Sequence, residues 1–280
     1  MTMDSLFDDH YSRPTEKPPL GQRETHRVLI TVKAAPNPSA THGETVCVAG
    51  VILGSYGVVG WIRLYPINFR HLESDKFKKY DIVIVDCKPA NEPRLESWRP
   101  VINSLQIVDH LPPWKKRQSL LEPIIENSMC KISADARKSS TAPSLALVRP
   151  AEVLDFEVES HPGWTREEQL KIDQYVNQLD IFDQTDRTPL EAPRFRGFYR
   201  WRCADPGCKG HRQSIIDWEF VAFQRNIRDA SDEEVRDALR RRFLDQICRS
   251  DNDVAFFVGN QAKRHHTFLI LGVYYPRVSN

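Results

Sequence analysis

The chain has 280 residues, which is long enough for one large domain or for two of ordinary size. Apolar residues make up 40% and charged residues 28% of the sequence, so the chain can bury a core, and a wholly disordered protein is excluded. The formal net charge is only +1, so any argument for a polyanionic partner must rest on the local distribution of charge.

Residues 1–26 predict a disordered arm, because they are acidic at the start and then rich in proline and charge, and can bury little surface. The arm lacks the basic and apolar regions of a secretory signal, and no apolar run approaches the roughly 20 residues that cross a bilayer. The six cysteines are not spaced like a dense disulfide framework. We therefore expect a cytoplasmic protein.

Residues 27–160 predict a β-rich, barrel-like domain. Short runs rich in β-branched residues alternate with turn residues at near-even spacing, a pattern typical of a small barrel or a curled antiparallel sheet. Residues 44–53 and 58–67 flank a Gly-Ser-Tyr-Gly turn at 54–57, which predicts a hairpin. Further strands are predicted within 28–32, 80–87, 101–111, 144–150 and 152–159, and the polar segment 134–144 predicts a loop.

Residues 161–193 predict a helical linker. His161-Pro162-Gly163 interrupts the strand pattern, and the segment that follows predicts a helix with Thr165 as its N-cap and two glutamates in its first turn. The prolines at 189 and 193 then end the helical pattern. We place the junction between the two parts of the chain here.

Residues 194–280 predict a C-terminal α/β module. Segments 195–203 and 211–217 predict a strand pair, and helices are predicted at 217–226 and 231–248. Ser231 and Glu234 form the pattern of a capping box at the start of the second helix. Its apolar stripe consists of Val235, Leu239, Phe243 and Ile247.

Residues 254–259 and 267–275 predict a closing strand pair. The expected fold class is therefore α+β, with a small N-terminal β-barrel or curled antiparallel sheet. The C-terminal α/β module would contain two helices and the terminal strand pair.

Several stretches resemble a group of uncharacterised bacterial proteins. They are GETVCVAG at 43–50, GWIRLYPI at 60–67, the segment that begins with DWEF at 217, and the ending with FFVG at 256–259 and FLILGVYYP at 268–276. The resemblance covers both halves of the chain. It implies a bacterial, intracellular protein, and it implies no activity.

A short Cys/His cluster is the sharpest chemical motif. Cys203, Cys208 and His211 flank a Pro-Gly turn in the pattern C-x4-C-x2-H between two predicted strands. Thiolate and imidazole ligands favour Zn²⁺, so we predict a zinc site here. A structural site needs a fourth ligand, for which the candidates are Cys248, His265 and His266; the alternative is a turn with two unpaired cysteines.

A basic and aromatic run surrounds this motif. Between Arg194 and Arg212 there are six basic side chains and one acidic one, a local charge of +5. On a strand the arginines would share one face, and Phe195, Tyr199 and Trp201 the other, because side chains alternate. The predicted phosphate contacts are Arg196, Arg200, Arg202, Lys209 and Arg212.

The alternative for this run is a solvated strand whose arginines pair with acidic residues such as Glu191, Asp205 or Asp229. Smaller basic clusters at 114–117 and 240–242 add to the basic character, the first in a predicted proline-flanked loop. The second fits a solvated helix face opposite the apolar stripe.

Asp217 and Glu219 are the candidate carboxylates of a metal-dependent nuclease, because such an enzyme gathers acidic ligands around a divalent cation. The simpler interpretation is a helix start, with Asp217 as the N-cap and Glu219 in the first turn. The sequence contains no Gly-rich phosphate loop, no G-x-S-x-G and no H-E-x-x-H motif.

The sequence thus favours a nucleic-acid-interacting protein, binding DNA or RNA, with a zinc-stabilised basic loop and no assigned catalytic residue. The alternatives are a metal-dependent nuclease that uses Asp217 and Glu219, and a scaffold whose barrel binds another protein. A second carboxylate cluster, a continuous basic surface or an exposed apolar patch would distinguish these three hypotheses.

Overall fold

A computed structural model of the chain describes residues 16–39, 43–68, 77–177 and 189–278. Most of the predicted N-terminal arm and residues 178–188 of the predicted linker lie outside the described residues. The strands are β1 (Glu24–Lys33), β2 (Asn37–Ser39), β3 (Gly43–Leu53), β4 (Val58–Asn68), β5 (Asp81–Pro89), β6 (Ser97–Pro100), β7 (Gln106–His110), β8 (Ile125–Glu126), β9 (Leu145–Val148), β10 (Glu152–Ser160), β11 (Phe195–Arg202), β12 (His211–Ile215), β13 (Ala255–Gln261) and β14 (Arg264–Tyr274).

The α-helices are α1 (Lys115–Leu121), α2 (Met129–Lys138), α3 (Arg166–Val176), α4 (Trp218–Asn226) and α5 (Asp232–Arg240). The last of these continues as a π-helical turn over Arg241–Gln246. Among the described residues, no helix is both long and apolar enough to span a membrane.

The N-terminal strands close into a five-stranded barrel. They follow the order β1-β3-β4-β6-β5, and β5 pairs back onto β1. Every pairing in the barrel is antiparallel except the parallel one between β4 and β6. This strand order and these directions are those of the OB-fold, a five-stranded Greek-key barrel. The predicted hairpin is confirmed, since β3 pairs with β4 across a turn that Gly54 N closes by donating to Gly57 O at 2.8 Å.

The second sheet has the order β10-β11-β12-β14-β13-β9-β8 and is mixed, with β12–β14 and β8–β9 parallel. It corrects the predicted 27–160 domain, because strands β8 to β10 belong to this sheet and not to the barrel. β9 pairs with β13, and β10 pairs with β11, so each finds its partner far along the chain. The predicted pairs β11–β12 and β13–β14 are both confirmed.

The molecule is layered in the order barrel, second sheet and helices. Alternate residues of the barrel strands fill its interior, and the intervening residues, such as Leu29 and Val51, pack on Phe257 and Leu271 of the second sheet. The opposite face of that sheet is covered by α2, α4 and α5, whose stripe of Val235, Leu239, Phe243 and Ile247 is buried as predicted. The α+β class with an N-terminal barrel is therefore confirmed.

The helix starts follow the predicted capping chemistry. Thr165 and Ser231 each form a capping box with the glutamate three residues later, and Asp217 accepts a hydrogen bond from Glu219 N. One prediction is wrong: residues 134–138 are not loop but the end of α2, which begins after the N-cap Ser128.

Buried polar groups join the barrel to the second sheet. Lys79 Nζ donates to Asp217 Oδ2 at 2.6 Å, and Ala35 N donates to Ile216 O at 2.6 Å. The carboxylate of Glu96 accepts from both the backbone N and the Oγ of Ser144, each at 3.0 Å. Because unpaired buried polar groups are costly, these bonds fix how the two parts dock.

Candidate metal centre

The loop between β11 and β12 carries the three predicted metal ligands. Cys203 follows the last residue of β11, and His211 is the first residue of β12. A turn in which Cys208 N donates to Asp205 O at 3.0 Å folds the loop back, and Gly210 adopts a left-handed φ of 99°. The two cysteines and the histidine are thereby brought to the same end of the hairpin.

The structure brings these three residues together with Cys130. His211 Nε2 lies 3.3 Å from Cys208 Sγ, 3.4 Å from Cys203 Sγ and 3.7 Å from Cys130 Sγ. Cys203 Sγ lies 3.7 Å from Cys130 Sγ, and all four donor atoms lie within 4.8 Å of one another. Across the described part of the chain this is the one group of three or more His, Cys, Asp and Glu side chains that could hold a metal ion.

These separations match the edges of a tetrahedron around zinc. Zn–S bonds of about 2.3 Å and Zn–N bonds of about 2.0 Å give edges of about 3.8 Å between two sulfurs and about 3.5 Å between sulfur and nitrogen. Four ligands of this kind also complete the coordination shell, and a closed shell is characteristic of structural sites.

Cys130 completes the four-residue cluster, and none of the three candidates predicted for the fourth position belongs to it. Cys248 Sγ instead donates to Phe243 O at 3.4 Å on the helical side of the core. His265 and His266 lie on β14 outside the cluster. Local sequence patterns do not indicate Cys130, because it stands 73 residues before Cys203 and has no Cys or His partner beside it.

Hydrogen bonds join the start of α2 to the loop that carries Cys203, Cys208 and His211. Ser128 caps the helix by accepting from Lys131 N at 3.0 Å, and its hydroxyl donates to Asp205 Oδ2 at 3.3 Å. Ala204 N donates to Asn127 O at 2.9 Å. These bonds place Cys130, the second residue of the helix, against the loop.

The thiols of the cluster differ in pKa because their electrostatic surroundings differ. Although burial opposes ionisation, the hydrogen bond from His211 and those around it lower the pKa of the Cys203 thiol to about 6. Burial, followed by the neighbouring Cys203 and Cys208, raises the pKa of Cys130 to about 12. Adjacent thiolates repel one another, and a bound dication would remove that repulsion.

The arginines of β11 share one face, as predicted, and Phe195, Tyr199 and Trp201 are buried on the other. The carboxylates that pair with these arginines and with Arg212 of β12 are not the predicted ones, which were Glu191, Asp205 and Asp229. Arg196 and Arg212 bind Glu159, Arg212 also binds Glu157, and the distances of these three pairs are 3.1, 2.5 and 2.7 Å.

The remaining predicted phosphate contacts are held more loosely. Arg200 and Arg202 each lie 3.6 Å from a carboxylate, that of Glu157 and that of Glu152, and their side chains are 56% and 55% exposed. Lys209 is exposed in the metal-binding loop and has no polar partner among the described residues. Arg200, Arg202 and Lys209 are therefore the least engaged of the five predicted phosphate contacts.

The basic cluster at 114–117 does not lie in an exposed loop. Residues 115–117 begin α1, and Arg117 is buried with its guanidinium 3.6 Å from the centre of the Tyr80 ring. Its Nε and Nη2 both donate to Leu111 O, at 2.9 and 2.6 Å. Arg117 thus belongs to the packing of the protein and not to a basic surface.

Asp217 and Glu219 both contact Lys79, whose Nζ lies 2.6 and 3.2 Å from their oxygens. Asp217 is buried, and burial raises its pKa to about 6 against the opposing effect of Lys79. The ammonium group of Lys79 therefore binds both carboxylates that the nuclease hypothesis assigns to a metal ion and offsets one of their two negative charges.

A closed OB-fold barrel docked on a mixed sheet, with a Cys3His cluster at the end of a sheet hairpin, defines a two-part α+β protein with a candidate metal centre. Residues 125–280 match the family described as "Domain of unknown function (DUF8757)", and the chain belongs to this family. Residues 24–123 match a second one, "Domain of unknown function (DUF8758)". The boundary between the two matches separates the barrel from the second sheet. None of the curated proteins compared with the chain matches it.

Proposed function

We propose that Cys130, Cys203, Cys208 and His211 bind one structural Zn²⁺ ion. The observation that carries this proposal is the convergence of four soft donor atoms within 4.8 Å, at the separations of a tetrahedral zinc site. The ion would join the start of α2 to the β11–β12 hairpin. Because such a site forms only in the folded chain, the free energy of binding the ion adds to the stability of the fold.

Metal analysis of protein purified without chelator tests this proposal. We expect about one zinc per chain, and loss of the metal in Cys130→Ser as well as in Cys203→Ser. Cys248→Ser is the matched control, because Cys248 is a partly buried cysteine outside the cluster. Wild-type protein without stoichiometric metal, or Cys130→Ser protein that keeps it, would contradict the proposed ligand set.

We further propose that the loop around this ion binds nucleic acid through Arg200, Arg202 and Lys209. Exposed ion pairs contribute only about 0–1 kcal/mol, so a phosphate can replace the distant carboxylates of Arg200 and Arg202 at little cost. Arg196 and Arg212, which the sequence analysis included, are engaged by close carboxylates and enter this proposal only as secondary contacts.

The aromatic residues of β11 support phosphate contacts and not base stacking. Tyr199 and Trp201 are fully buried behind the arginines. Phe198 lies on the arginine face, but the Arg212 guanidinium is 3.8 Å from its ring centre, so these rings are not free to stack on a base. Binding of this kind is insensitive to sequence, because phosphates carry no base identity. The OB-fold barrel adds an analogy alone, since some barrels of this fold bind oligonucleotides.

The salt dependence of binding to duplex DNA and to RNA tests the second proposal. Three phosphate contacts on duplex DNA should give a slope of about −3 in log K against log salt, and Arg200→Ala/Arg202→Ala should reduce its magnitude by about two. The matched control is Arg196→Ala/Arg212→Ala on the same face, for which we expect a smaller change. No detectable binding at low salt would remove this proposal and favour the scaffold hypothesis.

The protein prepared for the DNA and RNA binding assays also tests the nuclease hypothesis. Since Lys79 already binds both Asp217 and Glu219, we expect no cleavage of DNA or RNA with Mg²⁺ or Mn²⁺. Cleavage that is lost in Asp217→Asn/Glu219→Gln, while the variant remains folded, would instead establish the nuclease.

A further inference from the structure

A cavity of about 140 Å³ lies where the barrel meets one edge of the second sheet. The barrel contributes residues 35–37, which follow β1. The second part of the chain contributes the start of β11, the end of β12, and residues of α4 from its first turn to Arg225 in its last turn. Its apolar lining consists mainly of Trp164, Leu190, Phe195, Ile215, Phe220 and Val221. The Cys/His cluster lies outside this cavity, and of the five predicted phosphate contacts only Arg196 lines it.

The walls of the cavity are held by hydrogen bonds. Trp164 Nε1 donates to Leu190 O at 2.7 Å, which fixes the indole against the segment that precedes β11. On the opposite side, Ala35 N donates to Ile216 O at 2.6 Å and keeps the barrel residues in place. A cavity with walls fixed in this way is preorganised, and a ligand that enters it loses little free energy to reordering of the protein.

Two guanidinium groups that line the cavity have unused hydrogen-bond donors. Arg225 lies 5.1 Å from the centre of the Trp218 ring and makes no ion pair with any described residue. Arg196 uses Nη2 to bind Glu159, but its Nε is buried without a hydrogen-bond partner. A buried donor left unsatisfied costs about 1–3 kcal/mol, so an acceptor in the cavity would be favourable.

His161 adds a third donor to the lining. Its Nδ1 accepts from Gly163 N at 3.1 Å, which places the proton of the neutral ring on Nε2. Burial, followed by the charge of Arg196, lowers the pKa of His161 and keeps the ring neutral near pH 7. Against these three donors the lining contains a single carboxylate, that of Glu191.

We propose that this cavity binds a small aromatic carboxylate, with the ring among the apolar residues and the carboxylate at Arg196 and Arg225. The volume supports one ring, because an apolar protein cavity of about 150 Å³ accommodates benzene. The charge supports an acid, because a guanidinium pairs with a planar carboxylate through two parallel hydrogen bonds. The ligand would contact both parts of the chain at once.

Binding of benzoate and phenylacetate to the full chain, followed by ligand-detected NMR and by the thermal midpoint, tests the proposal. We expect both acids to bind in the millimolar range and benzamide, the neutral isostere of benzoate, to bind about tenfold more weakly. Arg225→Gln should weaken benzoate binding about tenfold, whereas Arg228→Gln should not change it. Arg228 is the matched control, since its side chain is 81% exposed and pairs with Asp229.

Each other outcome overturns the inference. Absence of binding by both acids would show that the cavity is not a carboxylate site, and equal binding of benzamide would show that the guanidiniums take no part. Preference for phenyl phosphate over benzoate would replace the carboxylate by a phosphate ester. Equal effects of Arg225→Gln and Arg228→Gln would place the bound acid elsewhere on the protein.

Discussion

Arg117 shows how the surroundings of a single residue decide between a surface role and a core role. Its guanidinium lies 3.6 Å from the centre of the Tyr80 ring and donates twice to the Leu111 carbonyl, whereas the neighbouring Lys116 on the same helix is exposed. A planar fork of donors is required for this geometry, and an ammonium group cannot reproduce it.

Arg117→Lys should therefore lower the free energy of unfolding by about 2 kcal/mol, since one hydrogen bond and the stacking contact are lost inside the protein. Denaturant titration measures the change. Lys116→Arg, the reverse exchange one residue earlier, should leave stability within about 0.5 kcal/mol. Similar values for the two variants would mean that the buried contacts of Arg117 contribute nothing.

The cysteines also differ from one another in the pKa and the reactivity of their thiols. Burial raises the pKa of Cys87 to about 12 and that of Cys248 to about 12, so both thiols stay protonated and unreactive at neutral pH. Removal of the proposed zinc ion with a chelator should expose Cys203 and Cys208 to alkylation, while Cys87 and Cys248 react only after unfolding. Peptide mass spectrometry of alkylated protein, with and without chelator, measures this order. Alkylation of Cys203 and Cys208 at equal rates in both samples would argue against a bound metal ion.

At the scale of elements, β11 packs against β10 and α4 at its glycine. A Cβ atom at Gly197 would lie 2.5 Å from Phe156 Cζ and 2.9 Å from Ile215 Cγ2, closer than side chains approach one another. The strand can therefore carry only glycine at this position without moving the core.

Gly197→Ala should destabilise the protein by about 3 kcal/mol, the upper range for overpacking a core. Phe156→Leu removes the closest ring atoms and should restore part of that loss in the double variant, although it is destabilising alone. A double-mutant cycle by thermal unfolding gives the coupling between the two sites. Strict additivity would show that the ring does not limit the space at Gly197.

At the scale of the whole molecule, the barrel and the second sheet share buried polar contacts as well as an apolar layer. Glu96, on the barrel side, accepts two hydrogen bonds from Ser144, and Arg63 Nη2 donates to Ser144 O at 3.2 Å. Separating the two parts would expose the apolar layer and break these bonds together. The two parts are therefore expected to unfold as one cooperative unit.

Glu96→Ala should lower the free energy of unfolding by about 3 kcal/mol, because it leaves the two buried donors of Ser144 without their acceptor. Hydrogen exchange should show the same loss in barrel peptides and in peptides of β13 and β14. Glu92→Ala is the control, since Glu92 binds Arg94 at a more exposed position. A loss of protection limited to one part would contradict a single unit.

Local patterns in the sequence predicted much of this fold. Strand and helix positions followed from the alternation of side chains, the capping boxes at Thr165 and Ser231 fixed two helix starts, and Cys203, Cys208 and His211 lie within nine residues. The predictions that were wrong concern contacts between residues far apart along the chain. Strands β9 and β10 have the same local pattern whichever sheet they join, and only their pairing with β13 and β11 decides between the sheets.

The same reason explains the errors at the candidate site. Cys130 lies 73 residues before Cys203 and joins the cluster from the capped start of α2, and no local spacing indicates this contact. The positive charge of Arg117 and of the β11 arginines was visible in the sequence, but their partners were not. Whether a cation is free or paired is a property of the folded neighbourhood, as Glu157 and Glu159 on β10 show.

The order of the layers has a consequence for synthesis on the ribosome. All barrel strands emerge within the first 110 residues, whereas the strands β13 and β14 that cover the outer barrel face lie at 255–274. A barrel that folds as it emerges would display Leu29, Val51 and Trp61 to water until residues 255–274 have also been synthesised. A ribosome stalled before residue 255 would therefore carry a folded barrel with an exposed apolar surface. We expect chaperones to bind such a nascent chain.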